Sequence, residues 1–168
     1  GSLNIAKAME SPSLGETVGI AVQALSAVAT GTSIDSVPSI RRGNDETRAI
    51  GLGQMNLHGY LGQQGIHYGS PEALEFVDAY FRTVLYHALR ESCELAARTS
   101  DPYKGWEESG WGTGEAFEKY LAPFELKHER VKQLFGNHFI PGGDDWETLA
   151  EDVRKHGLYN KYLLAVPP

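Results

Sequence analysis

The chain has 168 residues, the size of one domain or a piece of one, enough to bury about two thirds of its unfolded surface. Its 15 Lys+Arg against 22 Asp+Glu leave a net charge of −7, which argues against broad binding to nucleic acid, where cations must neutralise phosphates. A phosphate site for one small ligand stays open. The single Cys excludes a disulfide, a thiolate zinc site and dithiol chemistry within the chain. There is no Asn-x-Ser/Thr sequon, no signal-peptide pattern at the start and no run of about 18 apolar residues. The expectation is a soluble, cytoplasmic chain with no nucleic-acid or membrane partner. Gly makes up 19 positions, about 11% against a usual ~7%, so many tight backbone positions are expected.

In chain order, residues 3–6 read as a short strand. Ser13 and Glu16 form the Ser-x-x-Glu pattern of a capping box, and a helix is predicted over about 14–30. Its apolar positions run nearly all round, leaving Gly19, Gln23, Ser26 and Thr30 as one narrow stripe, so it should be buried nearly all round. Residues 31–47 read as a loop with an extended piece at 34–37, since Pro38 turns the residue before it away from helix. Residues 48–53 read as a buried strand whose glycines permit close approach, and 56–64 as a short helix ended by Gly65. Ser70-Pro71-Glu72 is a helix start: cap, proline at the first position, acid in the first turn. That helix should run over 71–99, roughly 43 Å, the full width of a globule of this size. A Gly/Trp/Ser-rich loop comes next, then short helices at about 115–121, 127–135 and 145–156, and a strand-like run at 163–166. Both ends look like interior strands, where most domains begin and end in polar residues. The expectation is a segment of something larger.

Local chemistry is thin. Gly51-Leu52-Gly53 lacks the third glycine of a dinucleotide loop, because Asn56 stands there, and no Walker pattern occurs. Backbone packing is the better reading. The six histidines, His58, His67, His87, His128, His138 and His156, include no pair at metal-binding helical spacing. His87 and Cys93 point to different faces of the long helix. Cys93 sits mid-helix beside Glu91 and Glu94, a packing position rather than the electropositive setting of a nucleophile. There is no Gly-x-Ser-x-Gly elbow. Glu107/Glu108 and Asp144/Asp145 suit a solvated loop and a helix start. Trp106, Trp111 and Trp146 lie among acids, which suits core capping better than base stacking. No catalytic residue and no metal ligand is assigned.

Whole stretches carry more. RAIGLGQMNLHGYL at 48–61, IHYGSPEAL at 66–74, YFRTVLYHALR at 80–90 and GLYNKYLLAVPP at 157–168 strongly resemble the large, catalytic subunit of ribonucleotide reductase, most of all its class Ib type. GSLNIAKAM at 1–9 and SVPSI at 36–40 fit in the same order, and the resemblance covers essentially the whole chain. Departures fall at 62–64, 100–105 and 136–144, in loops and helix ends, where change is cheap.

The resemblance implies an α/β fold: a partial segment of the family's ten-stranded barrel, helix-rich with a few short strands. Residues 1–168 would be a single piece of barrel wall, with strands near 3–6, 48–53 and 163–166 and the long helix near 71–99. It implies an enzyme that reduces ribonucleoside diphosphates to deoxyribonucleoside diphosphates. A small radical-generating subunit with a dimetal-tyrosyl centre, a thiol reductant, nucleotide effectors and the remaining large-subunit sequence would serve as partners. The family's radical cysteine, its reducing pair and its effector site lie outside this stretch. In the family a Cys-Asn-Leu precedes the Gly-Ser-Leu-Asn-Ile that stands here at 1–5, and a phosphate-holding Thr-Gly-Ser-Ile loop comes after Pro168. Pro168 is therefore the one substrate-binding candidate. The segment alone should be inactive and holds no cofactor. The competing reading is a stand-alone or split helical assembly module without the chemistry.

Overall fold

In the computed structural model, which describes residues 1–32 and 36–165, Asn4 sets the first change of structure. Its side chain accepts the Lys7 N–H at 3.4 Å and caps a helix. The strand expected at 3–6 is therefore shorter and earlier: β1 spans Ser2–Asn4, and α1 (Ile5–Glu10) begins at once.

The second helix, α2 (Leu14–Gly31), starts where Ser13 Oγ accepts the Glu16 N–H at 3.1 Å. Only half of the capping box forms, because the Ser13 N–H donates to Ser11 Oγ instead. Nor is α2 buried all round. Leu14, Val18, Val22 and Ser26 are buried, whereas Ile20 and Val28 are 66% and 65% exposed. Of the polar stripe only Ser26 turns inward, into a buried network; Gln23 and Thr30 are exposed, with Gln23 Nε2 donating to Glu91.

The loop expected over 31–47 is largely helix, α3 (Pro38–Thr47). Pro38 occupies its first turn, where a missing N–H costs nothing, and restricts only Val37 before it. α3 has no buried residue and is tied down by Asn44 Nδ2 donating to Ala29 O at 2.7 Å. The extended piece expected at 34–37 lies partly outside the described residues.

β2 (Gly53–Met55) pairs parallel with β1 in the register Ser2–Gly53, Leu3–Gln54 and Asn4–Met55. The strand expected over 48–53 is mostly not one: Arg48 is the left-handed cap that ends α3, and of residues 49–52 only Leu52 forms a bridge, in parallel with Leu164. Ile50 N–H donates to Tyr162 O and Leu52 N–H to Leu163 O, at 3.0 and 2.9 Å. Three parallel runs thus lie side by side, with 50–55 in the middle. α4 (Leu57–Gln63) comes directly after β2.

The longest element is α5 (Pro71–Thr99), started by Ser70 Oγ accepting the Ala73 N–H at 3.2 Å. At 29 residues it is about 43 Å long. α2 packs along it, and α8 (Glu129–Phe135) and α9 (Gly143–His156) also pack on it. Between α5 and α8 come α6 (Gly110–Thr113) and α7 (Glu118–Leu121), each preceded by a single 3₁₀ turn. Trp146 of α9 is fully buried, stacked on Tyr120 with centroids 4.2 Å apart and edge-on to Tyr86 at 5.2 Å. Arg82 of α5 pins this cluster although only 7% exposed. Its Nε donates to Pro141 O at 3.1 Å and its Nη2 to Tyr120 O at 2.6 Å, between the rings of Tyr120, Phe124 and Trp146. The result is the expected helix-rich α/β architecture with few, short strands.

Candidate functional site

Parallel strands make one edge chemically special, because all their carboxyl ends point the same way. Here that edge is formed by Asn4, by Met55 and Asn56, and by Ala165. In α/β folds such edges hold ligands. Pro168, the substrate-binding candidate, comes three positions after Ala165 and lies outside the described residues.

Alternation gives the strands two different faces. Leu52 is 2% exposed and faces the helices, as does Gln54, whose Oε1 accepts the Tyr80 hydroxyl at 2.7 Å. Burial among the helices raises the Tyr80 phenol pKa, with a smaller push from Tyr60. Gly51, Gly53 and Met55 therefore lie on the opposite face. A Cβ on Gly51 would meet the Ala165 Cβ at 3.0 Å, and one on Gly53 would meet Ser2 Oγ at 2.8 Å. This face is sparse: Met55, 52% exposed, stands on it with Ser2 and Asn4 of the neighbouring strand. Beyond the Ser2 hydroxyl, no acid, base or thiol of the three runs is seen on it among the described residues.

What holds the three runs in register is a buried asparagine. Asn160 is 0% exposed, and every polar group of its side chain is paired. Nδ2 donates to Ser26 Oγ at 3.0 Å and to Arg48 O at 2.8 Å, while Oδ1 accepts the Ser92 hydroxyl at 3.0 Å. One side chain thus joins α2, α5, the middle run and the 162–165 run. Arg48, in left-handed conformation at φ 42°, adds a second tie. It donates to Asp101 and to Tyr159 O and stacks 4.1 Å over the Tyr159 ring. Reading the sequence overlooked Asn160 and Arg82; the available signal was a polar residue interrupting an apolar run and an apolar helix arc.

The other candidates from the sequence do not converge. Cys93 is 4% exposed on α5, and burial, helped by Asp152 and Glu94, pushes its thiol up to about 12, so it is an un-ionised packing group. His87, facing Gly15 of α2, is held down to about 4 by burial and then by Arg90. His128 Nδ1 lies 3.0 Å from Glu75, and His138 Nε2 3.0 Å from Met9 O. Glu75 also accepts the N–H groups of Lys127 and His128; burial pushes its carboxyl up, but these bonds outweigh it and leave the pKa below the usual value. Trp106 and Trp111 pack on the core. Among the described residues no three His, Cys, Asp or Glu side chains could hold a metal ion, and no helix is long and apolar enough to cross a membrane.

A helix-covered parallel sheet with one bare face is the wall of an α/β barrel, and the comparisons agree. The family model for the ribonucleotide reductase barrel domain matches residues 1–168, and the chain belongs to that family. It is 43% identical over 169 residues to the ribonucleoside-diphosphate reductase NrdEB subunit alpha of Bacillus subtilis (strain 168), covering 100% of this chain and 16% of that protein. It is 41% identical to a second ribonucleoside-diphosphate reductase subunit alpha of the same organism, and 43% identical to that of Mycoplasma pneumoniae. Each of these two matches covers 100% of this chain and 24% of the relative. The chain thus spans a quarter or less of the curated relatives it matches.

Proposed function

We propose that the chain is a single segment of barrel wall from the large subunit of a class Ib ribonucleoside-diphosphate reductase, working in the cytoplasm in deoxyribonucleotide synthesis for DNA replication. The observation that carries this reading is identity of 41–43% to reductase alpha subunits along the whole chain. The reaction replaces the ribose 2′-OH of a nucleoside diphosphate with hydrogen. In this reading the radical and both electrons come from outside the segment: a thiyl radical raised by a dimetal-tyrosyl small subunit, a cysteine pair, and a thiol reductant that restores the pair.

The residues here fit none of those roles. Cys93 is buried and un-ionised, and the described residues offer no metal-binding cluster. The segment's part is to shape the cavity. Gly51 and Gly53 leave the inner face bare so that a substrate can lie against backbone, and the helices behind it keep that side dry. Pro168 is the proposed substrate-site residue. With no N–H to donate, it would set the entry angle of a phosphate-binding loop.

The test is an assay of nucleoside diphosphate reduction with a radical-generating small subunit and a dithiol. The natural polypeptide bearing this sequence is expected to turn over, and residues 1–168 alone to give none. Reduction by the 168-residue chain alone, or a natural polypeptide with no reductase activity, would overturn the reading.

A further inference from the structure

The run that ends at the carboxyl edge is held by backbone bonds along its length. Tyr159 N–H donates to Ser92 O and Lys161 N–H to Thr47 O, at 3.0 and 2.9 Å. Farther on, Tyr162 O and Leu163 O accept from Ile50 and Leu52, and Ala165 N–H donates to Leu52 O at 3.3 Å. Such bonds carry no address. Side chains alternate with a period of two, so a slide of two residues, about 6.6 Å, presents the same N–H and C=O groups with every side chain back on its own face. The pairing with the middle run is also short, since Leu52–Leu164 is a single bridge and not a ladder.

Register must therefore be set by a side chain, and one residue is placed to do it. Asn160 is 0% exposed, and its Nδ2 donates at 2.8 Å to the carbonyl of Arg48, where the middle run begins. The rest of the amide is taken up by Ser26 of α2 and Ser92 of α5. Its own backbone N–H donates to Ser92 Oγ at 3.0 Å, so the residue is gripped from both ends. Arg48 answers from the other side, its Nε donating to Tyr159 O at 3.1 Å. A slide of two would bring Leu158 or Tyr162 to the place of Asn160. The two hydroxyls and the Arg48 carbonyl would then lose their partner while still buried, each at a desolvation cost. Only the observed register satisfies them.

We infer that Asn160 is a positioning residue for the nucleotide. By bonding the Arg48 carbonyl it fixes the height at which Ala165 stands beside Leu52, and with it the edge on which a ribonucleoside diphosphate is held. It touches no substrate and acts through the backbone of residues 161–165. Placement of this kind matters because a shift of about 1 Å in a substrate-holding element can cost on the order of 10²-fold. The inference rests on the large-subunit reading above.

The experiment measures KM and kcat for reduction of a ribonucleoside diphosphate by the natural polypeptide, with a radical-generating small subunit and a dithiol. The variants are Asn160→Asp and Ser26→Ala. Asn160→Asp keeps the shape and the acceptor for Ser92 but puts an oxygen where the Arg48 carbonyl needs a donor. Ser26→Ala removes a partner of the same amide and leaves the bond to Arg48 in place. The expected result in Asn160→Asp is a KM raised about tenfold or more with kcat within about threefold, and in Ser26→Ala both constants within about twofold of the parent. Lost stability alone removes folded molecules, which lowers kcat per mole of protein at unchanged KM; that result overturns the inference. So does an unchanged KM in Asn160→Asp, or a KM raised as much in Ser26→Ala. Asn160→Ser, too short to reach the Arg48 carbonyl, is read by the same criteria where Asn160→Asp does not fold, and failure of both to fold also overturns the inference. No reduction by the unsubstituted polypeptide overturns the large-subunit reading and what is built on it, whereas a parent that turns over without the expected changes overturns this inference alone.

Discussion

Replacing Asn160 by alanine should unfasten the sheet from both of its supporting helices. The side chain's three shortest hydrogen bonds, two donated by Nδ2 and one accepted by Oδ1, are all within 3.0 Å and all buried. Each buried bond contributes about 1 kcal/mol net, and each partner stranded by its removal adds a desolvation penalty. Ser26 and Ser92 can turn their hydroxyls elsewhere, but the Arg48 carbonyl cannot. With a cavity of side-chain size added, the expected loss is about 3–4 kcal/mol. Urea unfolding followed by far-ultraviolet circular dichroism reads it as a shift in midpoint at constant slope. A double-mutant cycle with Ser92→Ala should show coupling of at least about 1 kcal/mol, since the two groups share one network. A loss under about 1 kcal/mol for Asn160→Ala, or additive behaviour in the cycle, would refute the hub.

Three further outcomes can be checked. His87 should titrate near 4 by NMR. Its folded pKa is depressed from 6.5, so its contribution to stability is complete above pH 6.5 and is lost as the pH falls towards 4. A measured value near 6.5 would contradict the packing against Gly15. Gly157→Ala should cost about 2–3 kcal/mol in thermal or urea unfolding, because φ is +75° and the new Cβ would lie 2.6 Å from the Pro102 Cβ and 2.9 Å from the Trp106 ring. Trp146→Phe should stay within about 1 kcal/mol of the parent, since the lost area is offset by removing an indole N–H buried without a partner. Trp146→Ala should lose about 3–5 kcal/mol by the same measurement.

Long-range similarity and strong local starts were the readable parts of this sequence. Ser70-Pro71-Glu72 marks the start of α5 because three independent preferences coincide there. Strand limits were less readable: Asn4 serves equally as a strand residue and as a cap, and only the Lys7 N–H shows which. Pro38 misled because a proline that bars helix at the residue before it is also well suited to the first turn of a new one. α2 misled more deeply. It has more apolar residues than one face can bury: Leu14, Val18 and Val22 pack inward with Ser26, while Ile20 and Val28 are left exposed. The bare face could have been foreseen, since Gly51 and Gly53 are two apart and a strand repeats every two. Its meaning could not, because no reactive side chain stands on it.

The order of the three parallel runs has a consequence for synthesis. The middle run meets Gly1 across 50 positions, but its other flank is completed only by a partner 112 positions later, as Arg48 meets Asn160. Translation at about 5–20 residues per second leaves that flank open for on the order of 10 seconds. During this interval it is an unpaired strand edge, the feature most apt to pair with the wrong chain. The glycines that keep one face of the middle run free of side chains also lower the strand propensity of that waiting edge, so the same two residues make the nascent chain a poorer template for aggregation.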